Sequence, residues 1–184
     1  MRVIAGSAKR TVLTAPEGLN TRPTSDRAKE SLFSILGEKV RGARFLDIFC
    51  GSGAIGIEAL SLGAASAVFV DNSPHAIKAL TANLTKTRLN HNAEVLHMSV
   101  DNAIQKLENR QFDIIFLDPP YGTNLVIPAL KNLWQKHQNQ LLAENGLIIA
   151  ETDSKEFPDI PEDFTLESTR EYGRTKFLFI RLGA

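Results

Sequence analysis

The sequence predicts an α/β protein in which a mostly parallel sheet carries helices on both faces. Three observations lead there. From Arg44 onward, short β-branched and aromatic runs alternate with stretches of helical apolar spacing. A Gly51-x-Gly53-x-x-Gly56 triplet follows the first such run and opens a helical stretch. The chain closes on two strand-like runs with no helix between them, so a hairpin must place one antiparallel strand in the sheet, expected at an edge.

The elements follow in order. "RVIAG" and "TVLTA" flank the turn-prone Gly6-Ser7 and predict a small N-terminal β-hairpin, with residues 1–22 as an extension ahead of one larger domain over 23–184. After a loop with Pro16, Gly18 and Pro23, "SDRAKESLFSILGEKV" reads as a helix capped by Ser25 or Asp26, with Ala28, Leu32, Ile35 and Leu36 at helical spacing. "RFLDIF" is a strand, "GAIGIEALSLG" a helix closed by Gly63, and "SAVFVD" a strand. "SPHAIKALTANLTKTRL" is a helix with Pro74 in its first turn, followed by the strand "AEVLHM" and the short helix "VDNAIQKLEN". "FDIIFLD" is a buried strand, "VIPALKNLWQKHQNQ" a helix and "GLIIAET" a strand. "FTLESTREYGRTKFLFIRL" gives the closing pair, turning near Tyr172-Gly173-Arg174. No internal repeat or low-complexity tract is evident.

Composition narrows the functional classes. With 184 residues the chain suits one well-buried domain. No run approaches the roughly 18 apolar residues of a membrane span, and the N-terminus lacks a signal-peptide core. A single cysteine forbids an internal disulfide, so a reducing cytoplasm is expected. His75, His91, His97 and His137 show no ligand spacing, so no metal is expected. The net charge is zero, but residues 1–44 hold nine Lys/Arg against four Asp/Glu and residues 45–184 twelve against seventeen. A basic N-terminal arm on an acidic body suits a phosphate-bearing partner; a solvated surface with clustered charge is the plain alternative.

In open sheets of this kind, ligands bind beyond the carboxyl ends of the strands. That rule singles out Asp47 to Gly56, Asp71, Ser99 to Asp101, Asp118 to Gly122, and Glu151. The glycine loop lets the backbone approach a ligand closely, and Asp71, 20 residues past Gly51, can accept both hydroxyls of a ribose. This pattern alone suits a nicotinamide dinucleotide or S-adenosylmethionine. Two carboxylates favour the second: Asp47 lies where an ammonium would be welcome and a pyrophosphate would not, and Asp101 lies where an adenine amine can be met. Cofactor contacts are expected from Asp47, Cys50, Gly51, Ser52, Gly53, Gly56, Asp71, Asn72, Ser73, Asp101 and Asn102. Cys50 itself reads as a small packing residue rather than a nucleophile.

The stretch "FLDPPYG" ends the fourth strand beside this loop. Pro119 and Pro120 carry no N–H, so the local surface offers only acceptors, the Asp118 carboxylate and the Pro119 carbonyl. A planar exocyclic amine with two N–H donors fits them, and Tyr121 supplies an aromatic face for the base. Two acceptors that hold the amine's hydrogens turn its delocalised lone pair towards an electrophilic methyl. An in-line displacement then needs no covalent enzyme intermediate, and orientation supplies most of the acceleration.

"DIFCGSGAIGIEAL", "VFVDNS" and "FLDPPY" resemble the cofactor and catalytic motifs of class I S-adenosylmethionine-dependent methyltransferases. "MRVIAGSAKR", "TRPTSDRAKESLFSIL" and "EYGRTKFLFI" are similar to the narrower signature of the RsmD family, and the resemblance spans essentially the whole chain. It implies a Rossmann-like sheet of seven strands with the last antiparallel, and methylation of guanine N2 in 16S ribosomal RNA. It further implies action on the small ribosomal subunit or a late assembly particle, with Asp118, Pro119, Pro120 and Tyr121 as catalytic residues; a monomer is expected. RNA contacts are expected from Arg2, Lys9, Arg10, Arg22, Thr24, Arg27, Arg174 and Lys176. "TRPTSDR" can equally serve as a loop feeding a capped helix or close over the cofactor. The rival readings are adenine-N6 or cytosine-N4 methylation of DNA or RNA, a nicotinamide-dependent oxidoreductase, and an RNA-binding assembly factor with a vestigial pocket.

Overall fold

A computed structural model describes residues 1–17, 25–120, 123, 125–135 and 141–183. Among these are five α-helices and seven strands in one sheet. The helices are α1 (Asp26–Leu36), α2 (Ala54–Ser61), α3 (Pro74–Thr87), α4 (Val100–Lys106) and α5 (Val126–Gln135). The strands are β1 (Arg44–Ile48), β2 (Ser66–Asp71), β3 (Ala93–His97), β4 (Phe112–Leu117), β5 (Leu142–Asp153), β6 (Phe164–Tyr172) and β7 (Thr175–Leu182).

The sheet order is β3-β2-β1-β4-β5-β7-β6, parallel from β3 to β5. The chain runs outward from β1 to β3, then returns to place β4 on the other side of β1. The crevice between the carboxyl ends of β1 and β4 is therefore the switch point of the sheet. β7 is antiparallel to both β5 and β6. The last strand, β7, is antiparallel as expected; only its expected place at the edge needs correction, because β7 lies inside and β6 forms the edge. Sequence chemistry explains it: "TKFLFIRL" is buried along most of its length and needs neighbours on both sides. "FTLESTREY" carries charges and is largely exposed, as an edge strand should be.

Period-two alternation divides the core. Phe45, Phe69, Phe116, Ile149 and Phe177 pack with α1 and α2 on one face. Leu46, Val68, Ile115, Leu117 and Ile148 pack with α4 and α5 on the other. α1 is capped by Ser25, whose hydroxyl accepts from the Ala28 N–H at 3.1 Å. Asp26 instead pairs with Arg2 at 3.2 Å.

The N-terminal segment doubles back through one antiparallel bridge, Arg2 to Val12, rather than through a strand ladder. Side chains of the main domain take up its backbone. The Glu58 carboxylate on α2 accepts from Ile4 N at 2.9 Å and Ala5 N at 2.7 Å. Ser61 Oγ donates to Ala5 O and accepts from Ala8 N, and Asn83 of α3 bonds both the N–H and the C=O of Thr14. Gly6 has φ of 80°, and a Cβ there would lie 1.8 Å from the Ser61 carbonyl oxygen, so only glycine fits this approach.

An ion pair locks the arrangement. Lys29 Nζ of α1 lies 2.8 Å from Glu58 Oε2, with both side chains 1% exposed, and also donates to Arg2 O at 2.5 Å. One buried pair thus ties α1, α2 and the N-terminal segment together. Lys29→Met leaves the Glu58 charge buried without its cation and should cost about 3–5 kcal/mol. Urea unfolding measures this, and the double variant Lys29→Met/Glu58→Leu should recover much of the loss. A single variant within experimental error of the parent would show that the pair does not hold the segment.

Candidate active site

The loop after β1 is held by groups that do not block its outer side. Phe49 takes a positive φ of 63°, and Gly51 and Gly53 follow at 52° and 76°. Gly53 N–H donates to Cys50 O at 2.7 Å, and Cys50 N–H to Val70 O at 3.0 Å. Gly51 N–H donates to one Asp71 oxygen at 2.9 Å, while the other accepts from Ser73 N–H at 2.8 Å. Asp71 therefore fixes the relative positions of the glycine loop and the start of α3. The Ser52 carbonyl accepts from Asn83 at 2.9 Å. A Cβ at Gly56 would lie 2.3 Å from the Phe69 ring, so the start of α2 packs against β2 closely enough to require glycine. At Gly51 the same position meets nothing within 4 Å, which leaves the loop open on the side a ligand would occupy.

Sheet register gathers acids on one face. Asp47 stands opposite Phe116, and Phe116 opposite Ile149. Two residues further along the same face come Asp118 and Glu151, so the three carboxylates share the upper edge of three adjacent strands. Asp47 is buried and accepts from Gly56 N–H at 2.9 Å. Burial pushes its carboxyl up to about 7, against that hydrogen bond and with some help from Asp71. Asp118 is raised well above the usual carboxylate range by loss of hydration first, then by Glu151 and Asp47. Burial likewise pushes the Cys50 thiol up, which removes it as a nucleophile. An acidic, poorly hydrated crevice of this kind suits a cationic ligand.

Two cavities open here. One, of about 240 Å³, is lined by Phe49, Asp71, Asn72, Met98, Ser99 and Asp101, among others. Asp101 accepts from Asn132 Nδ2, and the Asn102 N–H donates to Ser99 Oγ at 3.4 Å, capping α4. The second, of about 460 Å³, is lined by Pro119, Pro120, Glu151 and Phe157, among others. Leu125 and Pro128 line both, so the cavities share one wall. A wider groove of about 740 Å³ on the outer face of α3 has no carboxylate among its lining residues and reaches the sheet only at His97. The residues able to hold a cofactor are those of the smaller cavity with the glycine loop. Among the described residues no His/Cys/Asp/Glu group could hold a metal ion, and no helix is long and apolar enough to cross a membrane.

The expected cofactor residues thus converge on one end of the sheet. Asp118, Pro119 and Pro120 border them, while Tyr121 lies outside the described residues, as do Arg22 and Thr24. Arg2, Lys9, Arg10 and Arg27 are exposed on the N-terminal side. Arg174 is 65% exposed and bonds Asp153 at 2.7 Å. Lys176 departs from its expected place on the surface. It is 3% exposed, donates to Glu156 O at 2.8 Å and stands 3.8 Å from the Phe157 ring centroid, so it supports the 154–157 loop from below. Sequence reasoning included Phe49 in the stretch after the first strand without giving it a contact, and did not assign Met98, Leu125, Pro128 or Phe157 to the site. Phe49 and Met98 directly follow strands, a signal that was available; the other three are brought in by packing.

Residues 1–181 match the family model described as "Conserved hypothetical protein 95". The chain is 40% identical over 178 residues to the Bacillus subtilis protein named "Putative rRNA methyltransferase YlbH", covering 95% of each. It is 34% identical over 175 residues to Haemophilus influenzae "Ribosomal RNA small subunit methyltransferase D", covering 94% of this chain and 89% of the relative. A solved structure, "Putative methyltransferase yhhF from Escherichia coli", superposes with a TM-score of 0.83 at 29% identity, covering 99% and 97% of the two chains.

The raised Asp47 carboxyl has a consequence for stability. The unfolded chain releases its proton near pH 4, whereas the fold retains it to about 7. This group's favourable contribution is therefore complete below about pH 4 and is lost as pH climbs towards 7. Asp47→Asn keeps an acceptor for Gly56 N–H and should gain on the parent across that window, by on the order of 3–4 kcal/mol. Thermal unfolding at several pH values measures the difference; a gap independent of pH would mean that Asp47 titrates as an ordinary carboxylate.

Proposed function

The chain belongs to the RsmD family of methyltransferases, and on that premise we propose that it transfers a methyl group from S-adenosylmethionine to the N2 amine of a guanine in small-subunit ribosomal RNA. The observation that carries this reading is the pair of cavities with a common wall, one bearing Asp71 and Asp101, the other Pro119 and Pro120. A methyl donor and a nucleobase lodged in them would be neighbours across Leu125 and Pro128. The relatives named for small-subunit ribosomal RNA support the choice of substrate.

The residues present fit the cofactor. Asp71 and Asp101 suit its ribose and adenine amine, the open side of Gly51 admits its backbone-hugging portion, and the buried acids around Asp47 suit its positive charge. When bound, it supplies a methyl group on a sulfonium. The protein's part is orientation. Asp118 and the Pro119 carbonyl accept the amine's two hydrogens and turn its lone pair out of the ring system. As the bond forms, positive charge grows on nitrogen; Asp118, held ionised by the bound cation and the amine's donors despite its raised carboxyl, stabilises that charge before the proton passes to solvent. Tyr121 is assigned the role of stacking on the base. Arg2, Lys9, Arg10, Arg27 and Arg174, along with Arg22 and Thr24, are assigned to phosphate contacts. The enzyme acts in the cytoplasm as a monomer, on a particle whose proteins share the docking.

The test compares small-subunit particles, naked 16S RNA and DNA, with nuclease mapping and nucleoside analysis of the product. N2-methylguanosine at one position of the particle RNA is expected; labelled N6-methyladenosine would refute the reading. Asp118→Ala should lower transfer by about 100- to 1,000-fold while cofactor affinity measured by calorimetry stays within a few fold. Unchanged transfer would remove Asp118 from the reaction.

A further inference from the structure

The larger cavity contains a carboxylate that the mechanism above does not use. Glu151 ends the parallel part of β5, one step past the Leu117 to Ala150 pairing, which sets it beside Asp118. It is 1% exposed and lines the cavity that holds Pro119 and Pro120. Thr175 Oγ1 donates to its Oε1 at 3.3 Å, which fixes the orientation of the carboxylate. Phe157, which lines the same cavity, is 85% exposed, with the Lys176 amine 3.8 Å from its ring centroid. An exposed ring anchored in this way is a flat surface on which a base can rest.

From this arrangement we infer that Glu151 accepts the ring N1–H of the target guanine and is the residue that selects guanine over other amine-bearing bases. The inference rests on the guanine reading above and names the contact that enforces it. Guanine presents three hydrogens in a row, one on N1 and two on the amine. Glu151, Asp118 and the Pro119 carbonyl offer three acceptors along one edge to meet them. In adenine and cytosine the ring nitrogen beside the exocyclic amine carries a lone pair, which would face the Glu151 carboxylate and be repelled. Burial first, and then the charge of Glu151, disfavours the ionised form of Asp118, and a row of donors entering the cavity relieves that penalty. Sites that hydrogen-bond a substrate group in this way discriminate far more strongly than apolar pockets do.

The experiment uses small-subunit particles reconstituted with ligated 16S RNA that carries, at the mapped target, either guanine or 2,6-diaminopurine. The analogue keeps the 2-amino group but has a bare N1. The wild-type enzyme should favour guanine by roughly 1,000-fold in kcat/KM. Glu151→Gln offers an N–H to that bare N1, so it should narrow the preference by roughly 100-fold or more while binding S-adenosylhomocysteine as the parent does. Wild-type transfer to both bases at similar rates would overturn the inference without relying on any variant. Equal losses on both bases in Glu151→Gln would also overturn it and leave guanine-N2 transfer standing. Absence of N2-methylguanosine with the wild-type enzyme would instead overturn the functional reading and this inference together.

Discussion

The parallel pairing of β1, β4 and β5 in one register is the constraint on which the rest of the molecule depends. Side chains alternate across a strand, so fixing Asp47 against Phe116 and Phe116 against Ile149 decides which residues share a face two positions later. Asp118 and Glu151 reach the crevice because the buried phenylalanines and isoleucines beneath them leave no alternative alignment. A slip of one residue would send those apolar side chains to the wrong layer and the acids into the helices. The same forces that pack the core therefore aim the chemistry.

Crowding acids together in a poorly hydrated crevice works against the fold. It persists here because backbone N–H groups hold part of it: Gly56 on Asp47, Gly51 and Ser73 on Asp71. The remaining imbalance, visible in the raised Asp47 and Asp118 carboxyls, suits a cationic ligand and an amine. On the far side of α2 the buried Lys29 and Glu58 pair is balanced internally. It positions the N-terminal segment, with its exposed basic residues, around the same helix that begins at the glycine loop. One helix thus connects the glycine-loop side of the crevice to the basic N-terminal segment.

Much of this was legible in the residues. The alternation of strands and helices, the glycine triplet with Asp71, and the Asp-Pro-Pro-Tyr stretch each obey local rules of spacing, so the Rossmann-like fold could be read from the residues, along with the strand ends at which the candidate site lies. The N-terminal hairpin was partly legible. Its reversal at Gly6 was visible, but the carboxylate and hydroxyl on α2 that hold its backbone are more than 50 positions away. Lys176 looked like a surface cation because a hydrophilic residue beside a turn usually is one. It is covered because Phe157 and the Glu156 carbonyl, from the preceding loop, close over it.

By itself the sequence determined which elements form and which loops follow the parallel strands as candidates for ligand binding, since each depends on neighbours within a turn or a strand. Only the tertiary structure decided that β7 lies inside the sheet with β6 at its edge, that Glu151 stands beside Asp118, and that two cavities meet at Leu125 and Pro128. Those facts depend on pairing between segments far apart in the chain, where many arrangements satisfy the local pattern and the burial of shared apolar surface selects one.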